Sequence, residues 1–265
     1  MRDIGGDQLE LREAADLLGV HYQTAYRWVR RGRLPAQLVD SKYVVSRRDL
    51  ETVDAERRAP AAPTAPNPKR IDRQADRMHR ALVDGDEAAA GQLARRLVDE
   101  GADVVELIQL VLAPPLRRIG QDWHDGHLPI WIEHRASAIV ERILGELAPN
   151  PRGRRRGTTM VAAVAGDQHS LPTTMAAVAL RASNWHVHHL GANMPGQELI
   201  RFCSEYDIDL AVISVTNPDV THLADDTAKQ IRATNTSTIV GGAGRSLQQL
   251  VEQANSLRDA GTPAA

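Results

Sequence analysis

The chain has 265 residues, enough for about two domains, and its 42% hydrophobic and 25% charged residues exclude a disordered or membrane-embedded protein. No run approaches the roughly 20 apolar residues of a membrane span, and "MRDIGGDQLE" lacks the apolar core of a signal peptide. The lone cysteine, Cys203 in "ELIRFCSEY", rules out an internal disulfide framework and reads as a buried small hydrophobe, so a cytoplasmic chain is expected.

The net charge of −2 hides an uneven spread: residues 21–48 carry Arg27, Arg30, Arg31, Arg33, Lys42, Arg47 and Arg48 against Asp40. A basic patch on a near-neutral chain fits a small nucleic-acid reader joined to another module. "LELREAADLL" (9–18) has helical spacing with Gly19 as a stop, and "HYQTAYRWVRRG" forms a second short helix after a connection of about three residues. That pairing suits a helix-turn-helix. "LVDSKYVVS" alternates as a small hairpin turning at Asp40-Ser41, and "RRDLETVDAERR" closes the unit as a helix.

The proline- and alanine-rich "APAAPTAPNP" cannot form a core and reads as a linker over 59–69. Residues 70–149 then hold four helical segments: "RIDRQADRMHRALVDG", "DEAAAGQLARRLVDEG", "DVVELIQLVLAPPLRRIGQDW" and "IWIEHRASAIVERILGEL". Their short connections fit an antiparallel four-helix bundle. "NPRGRRRG" is a second linker. From 157 onwards "TTMVAAVA", "HVHHL", "LAVISVT" and "STIVGG" are strands, separated or followed by helices starting near Pro172, Gly196, Val220 and Ser246. Apolar strands joined by helices predict a parallel sheet covered on both faces, with ligands at the C-terminal strand ends, where His169, Ser214 and Gly241–Gly242 fall.

"LREAADLLGVHYQTAYRWVRRGRLPAQLVDSKYVVSRRDLE" resembles the MerR and excisionase type of winged helix-turn-helix, over nearly all of residues 9–55. Gln23, Thr24 and Arg27 lie early in the second helix, where side chains reach base edges of double-stranded operator DNA. Arg30, Arg31 and Lys42 are placed for phosphates, and Tyr43 on the hairpin joins the DNA-facing set. Tyr26 is a possible groove contact, whereas Trp28 fits better as a wedge between helices. One such unit reads few base pairs, so a homo-oligomer is expected.

"DWHDGHLPIWIEH" sets Trp123 ten residues before Glu133, with His124 and His134 each one further on. Singly, each has a plain reading: Trp123 as core, Glu133 as solvated, the histidines as surface or capping residues. Together they resemble the W-x9-EH motif of the cobalamin-dependent photoreceptor repressors of the CarH and LitR type, and the surrounding segment resembles the helical cap of corrinoid-binding proteins such as methionine synthase. The resemblance implies adenosylcobalamin held between bundle and sheet domain, with Trp123, Glu133 and His134 around the adenosyl group. It also implies that His124 takes the upper cobalt position once light has broken the Co–C bond. Residues 157–245 continue the likeness. "GDQHSLP" resembles the D/E-x-H-x-x-G loop, making His169 the lower cobalt ligand with Asp167 orienting its ring. "ISVTN" and "VGGAG" place Ser214, Thr216, Gly241 and Gly242 beside the nucleotide tail.

The fold class expected is thus multidomain: a winged helix-turn-helix (1–58), a four-helix bundle capping the cobalamin site (70–149) and a Rossmann-like, flavodoxin-like parallel-sheet domain (157–265). The chain departs from the pattern where Pro172 replaces a glycine, which biases Leu171 towards an extended conformation, and in having no clear fifth strand. His186, His188 and His189 alternate along a strand without completing a zinc set, and His79 and His222 read as surface residues. The function expected is a light-responsive repressor, tetrameric with cofactor and without catalytic turnover. The alternatives are a regulator whose cobalamin site has decayed or takes a different ligand, with light irrelevant, and a corrinoid methyl carrier or enzyme component.

Overall fold

A computed structural model describes residues 8–20, 22–30, 32–58, 68–148, 150–151, 155–242 and 244–261. The chain divides into two compact units, the first within residues up to 66 and the second covering 67–151 and 155–265.

In the first unit, α1 (Leu11–Leu17) starts at a reciprocal cap between Glu10 and Glu13, and α2 (Tyr22–Arg30) follows. Gly19 and Gly32, at φ +64° and +71°, end these helices in the left-handed conformation that favours glycine. Strands β2 (Gln37–Val39) and β3 (Lys42–Ser46) form the expected hairpin. Asp40 and Ser41 both take positive φ, as a two-residue turn matching the strand twist requires. Leu9 and Glu10, read as the start of the first helix, instead belong to a strand, β1 (Gln8–Glu10), which pairs Leu9 with Val45. Pairing with β3 wins there because a three-residue extension is satisfied by a ready edge. Helix α3 (Arg47–Arg58) opens where Ser46 Oγ accepts the Asp49 N–H at 3.1 Å. Leu11, Ala14, Ala15, Leu18, Ala25, Leu34, Val45, Leu50 and Val53 form this unit's core. The expected linker lies outside the described residues up to 67; Pro68 and Lys69 already belong to the next helix.

The second unit begins with α4 (Pro68–Asp84) and α5 (Glu87–Asp99), the latter capped by Asp86. Next comes α6 (Val104–Leu107), capped by Asp103, which widens into a π-helical stretch over Ile108–Leu112 before α7 (Ala113–His124). The widening has a cause in the sequence, since Pro114 and Pro115 lack N–H groups and their rings would press on carbonyls four residues earlier. The Ala113 N–H reaches back five residues to the Ile108 carbonyl. A turn leads to α8 (Ile130–Leu147). His79, expected at the surface, is half-buried on α4, and burial together with nearby Arg118 holds its pKa below the usual histidine range.

Strands β4 (Thr158–Val164), β5 (His186–Met194), β6 (Leu210–Val215) and β7 (Ser237–Gly242) form one parallel sheet in the order β5-β4-β6-β7. Helices α9 (Ser170–Ala182) and α12 (Leu247–Gly261) cover one face, α10 (Gly196–Glu205) and α11 (Thr221–Arg232) the other. Among the described residues the sheet has four strands, because the chain after β7 goes into α12. Cys203 is on the buried face of α10, and burial pushes its thiol up to about 11. Met175 and Val178 of α9 pack into the core of the helical segment, so helices and sheet share a continuous interior. At the outer edge, the Asn150 side chain accepts the Val187 N–H at 2.8 Å and donates to the Val187 carbonyl at 3.2 Å. His186 and His188 pack edge to face on one side of β5, while His189 bonds Thr173 on the other.

The two terminal glycines of β7 differ. A Cβ on Gly242 would collide with the carbonyl oxygen of its ladder partner Val215, whereas one on Gly241 meets nothing within 4 Å. Gly242→Ala is expected to lower stability by about 2–3 kcal/mol through overpacking, and Gly241→Ala to change it by less than about 0.5 kcal/mol, in urea unfolding of both variants.

Candidate cofactor site

The chain leaves β4 to one side to form β5 and then crosses over to β6 on the other, so strand order reverses between β4 and β6. In such sheets the crevice at that reversal, beyond the strand ends, is where ligands bind. The loop after β4 lies there. Gly166 takes φ +88°, and a Cβ on it would come within 2.8 Å of Val220 Cγ1, so the turn needs glycine. Asp167 follows, 1% exposed. Its Oδ2 accepts the N–H groups of Thr216 (2.5 Å) and Asn217 (3.1 Å), and its Oδ1 accepts from the backbone of His169 (3.2 Å) and from His169 Nδ1 (2.8 Å). Burial opposes ionisation of this carboxyl, but the bonds from Thr216, Asn217 and His169 outweigh it and hold the group below the usual carboxylate range.

An ionised Asp167 fixes the His169 tautomer. In the neutral ring Nδ1 carries the proton and Nε2 the lone pair, and 58% of the His169 side chain is exposed. An exposed imidazole with one nitrogen held by a buried carboxylate and the other open is the donor chemistry a corrinoid cobalt takes. His169 is also the residue from which α9 springs. The helix starts at Ser170, two residues earlier than expected. Leu171 is therefore helical, not extended, and Pro172 is the third residue of α9. The pre-proline bias yields here because a proline in the first turn breaks no hydrogen bond within the helix.

The helical segment meets this loop directly. Ser170 Oγ donates to Glu141 Oε1 of α8 at 2.8 Å. Glu133, Ser137 and Glu141 are spaced four apart on one face of α8, with Ser137 Oγ donating to Glu133 Oε1 at 2.8 Å. Glu133 thus lies on the face that reaches the His169 loop, about 12 Å further along the helix. Its other oxygen sits 2.5 Å from Nδ1 of the exposed His134. Trp123 and His124, at the end of α7, are exposed, Trp123 by 41%, so Trp123 is no core residue. Ser214 of β6 is half-buried and pairs with Gly241 of β7. Thr216, expected beside the nucleotide tail, donates its backbone N–H to Asp167.

Four contributors escaped the sequence reading: Asn193 and Asn217, which bind the N–H and the carbonyl of Gly166, and Ser170 with Glu141, which joins α9 to α8. Single polar residues in loops carry no periodic signal that would have found them. A cleft of about 370 Å³ between α5 and α8, lined by Glu87, Arg95, Arg142 and Glu146, holds none of the expected site residues. Its walls are already joined by the Arg142–Glu87 and Arg95–Glu146 ion pairs.

In the first unit, the side chains of Gln23 and Arg27, and the whole of Arg31, lie outside what the structure describes. Thr24 is half-buried and Arg30 exposed on α2. Lys42 is exposed and paired with Glu10 at 2.5 Å. Tyr43 packs edge-on against Tyr26, and Trp28 is half-buried beneath Arg33.

Residues 9–53 match the helix-turn-helix domain family, while residues 74–148 and 157–261 match two B12 binding domain families. The chain is therefore a helix-turn-helix domain fused to B12-binding domains. It is similar to the HTH-type transcriptional repressor CarA of Myxococcus xanthus, with 26% identity covering 78% of this chain and 76% of CarA. A corrinoid protein of Desulfitobacterium hafniense is 24% identical over 51% of this chain and 65% of its own length. Trimethylamine corrinoid protein 1 of Methanosarcina acetivorans is 23% identical over 62% of this chain and 80% of its own. The Methanosarcina barkeri monomethylamine corrinoid protein is similar in fold, with a TM-score of 0.54 at 17% identity, covering 68% of this chain and 89% of that one.

Because its folded pKa is depressed, Asp167 adds stability that is present above the ordinary carboxylate range and lost as pH falls below it. Asp167→Asn is expected to cost about 2–3 kcal/mol at pH 7. Denaturant titrations should show that difference shrinking below about pH 4.

Proposed function

We propose that this protein is a light-responsive transcriptional repressor that binds adenosylcobalamin between a four-helix bundle and a Rossmann-like sheet domain. The observation that carries this reading is the His169–Asp167 pair at the strand-order reversal, joined through Ser170 and Glu141 to the helix bearing Glu133 and His134. His169 would ligate cobalt through Nε2, with Asp167 fixing its ring. Trp123, Glu133 and His134 would enclose the adenosyl group, and Ser214, Thr216, Gly241 and Gly242 would border the nucleotide tail. When bound, the cofactor supplies a cobalt–carbon bond that light breaks. His124, at the end of α7, would be a second imidazole able to hold the cobalt.

A winged helix-turn-helix would present Gln23, Thr24 and Arg27 to operator bases, and Arg30, Arg31, Lys42 and Tyr43 to its backbone and rim. A cofactor-bound homotetramer would gather several such units on DNA, and light would dissolve it. Ligand can drive assembly only through contacts it makes better in the assembled state. The DNA-reading unit favours this reading over a methyl carrier, and the similarity to CarA, over 78% of this chain, supports it. Pro172 lies in the first turn of α9 and leaves the His169–Asp167 bond intact, which speaks against a decayed site. Turnover of a substrate is not expected.

The test is to load the purified protein with adenosylcobalamin in the dark and record spectrum, mass and operator binding before and after green light. Cofactor should co-elute, and light should lower the mass and release DNA. His169→Ala should weaken retention about tenfold or more and remove the nitrogen-ligated spectrum. Failure of cobalamin to co-elute with the wild type would refute the reading.

A further inference from the structure

The short turn that presents Asp167 and His169 is gripped from both sides. Asn193 Oδ1 accepts the Gly166 N–H at 2.9 Å, and Asn217 Nδ2 donates to the Gly166 carbonyl at 3.2 Å. The two side chains come from opposite neighbours of β4: Asn193 is the penultimate residue of β5, and Asn217 lies just beyond β6. Each is also tied to Asp167. The Asn193 N–H donates to the Asp167 carbonyl at 2.9 Å, and the Asn217 N–H donates to Asp167 Oδ2 at 3.1 Å. Asn217 Oδ1 further accepts the Asp219 N–H at 3.1 Å, which starts the turn leading to α11.

Asn193 adopts φ +56°, a left-handed conformation that asparagine tolerates better than most residues. Glycine would adopt it more easily, yet only a side chain with an acceptor can also satisfy the Gly166 N–H. The two peptide groups that flank the Gly166 Cα are therefore each held, the one from Ala165 at its N–H and the one to Asp167 at its carbonyl. Since Asp167 must meet two backbone N–H groups on one oxygen and His169 on the other, a small rotation of the Gly166–Asp167 peptide would break the set.

We propose that Asn193 and Asn217 are positioning residues for His169, clamping the peptide groups on either side of Gly166 so that Asp167 holds the Nδ1–H tautomer and leaves Nε2 open as the ligating atom. The link to ligation rests on the cobalamin reading; the control of the tautomer does not. Neither asparagine would touch the metal.

The experiment compares full-length wild type with Asn193→Gly, Asn193→Asp and Asn217→Ala by nitrogen-15 histidine spectra at one pH, without cofactor. Asn193→Gly keeps the positive φ and removes only the acceptor, while Asn193→Asp restores an acceptor. The Nδ1–H form of His169 should dominate in wild type and in Asn193→Asp. Its ratio to the Nε2–H form should fall about fivefold in Asn193→Gly and in Asn217→Ala, the ratio one hydrogen bond of ordinary net strength sustains. The same variants loaded with adenosylcobalamin should lose the nitrogen-ligated spectral fraction in the same order. An unchanged tautomer ratio in folded Asn193→Gly and Asn217→Ala, or no recovery in Asn193→Asp, would overturn the proposal. If the tautomer responds but wild type retains no cobalamin, the clamp stands and the cofactor reading fails.

Discussion

One buried carboxylate holds the working end of the second unit together. Asp167 receives N–H groups from the end of β6 and from its own loop, together with the His169 ring. A charge so enclosed is tolerated only when every lone pair has a partner. The ends of β4 and β6 and the start of α9 must therefore stay in register around it. The tautomer of His169 is a consequence of that requirement, since an ionised neighbour accepts a proton and cannot donate one.

Helix α9 extends this constraint into the rest of the unit. Its first residue follows His169 and bonds Glu141 of α8. Further along, Met175 and Val178 enter the helical core, while Ala176, Ala177 and Leu180 lie against the sheet. The small residues on the sheet side allow close packing, and the larger ones on the other side fill the gap to the helices. A shift of the helical segment is thus felt at the helix from which His169 projects.

Much of the architecture was legible because it is periodic. The helices of 70–149 and the four strands of the sheet were placed from apolar spacing alone, and the Asp40-Ser41 turn from residue type. What escaped depended on partners distant in sequence. Strand β1 exists because β3 offers it an edge, and the π-helical stretch because two prolines follow several residues later. At the site, the Asp–His spacing was readable within one loop. Thr216, expected beside the nucleotide tail, meets Asp167 through its backbone N–H, a contact that residue type does not announce. Asn193 and Asn217 could not be found, since each meets the loop only after the sheet has formed.

The side chain of Asn150 has a consequence for how copies of this chain can meet. Strand β5 is the outermost on its side, and a bare parallel edge is an invitation to add a strand from a second molecule. With one amide, Asn150 answers both backbone groups of Val187, imitating the neighbour a foreign strand would provide. Docking along this border would first have to evict that amide from a bidentate seat. Sheet-to-sheet extension is thereby discouraged at this end, which directs any self-association towards side-chain surfaces, where assembly can be made and unmade without rebuilding a backbone ladder.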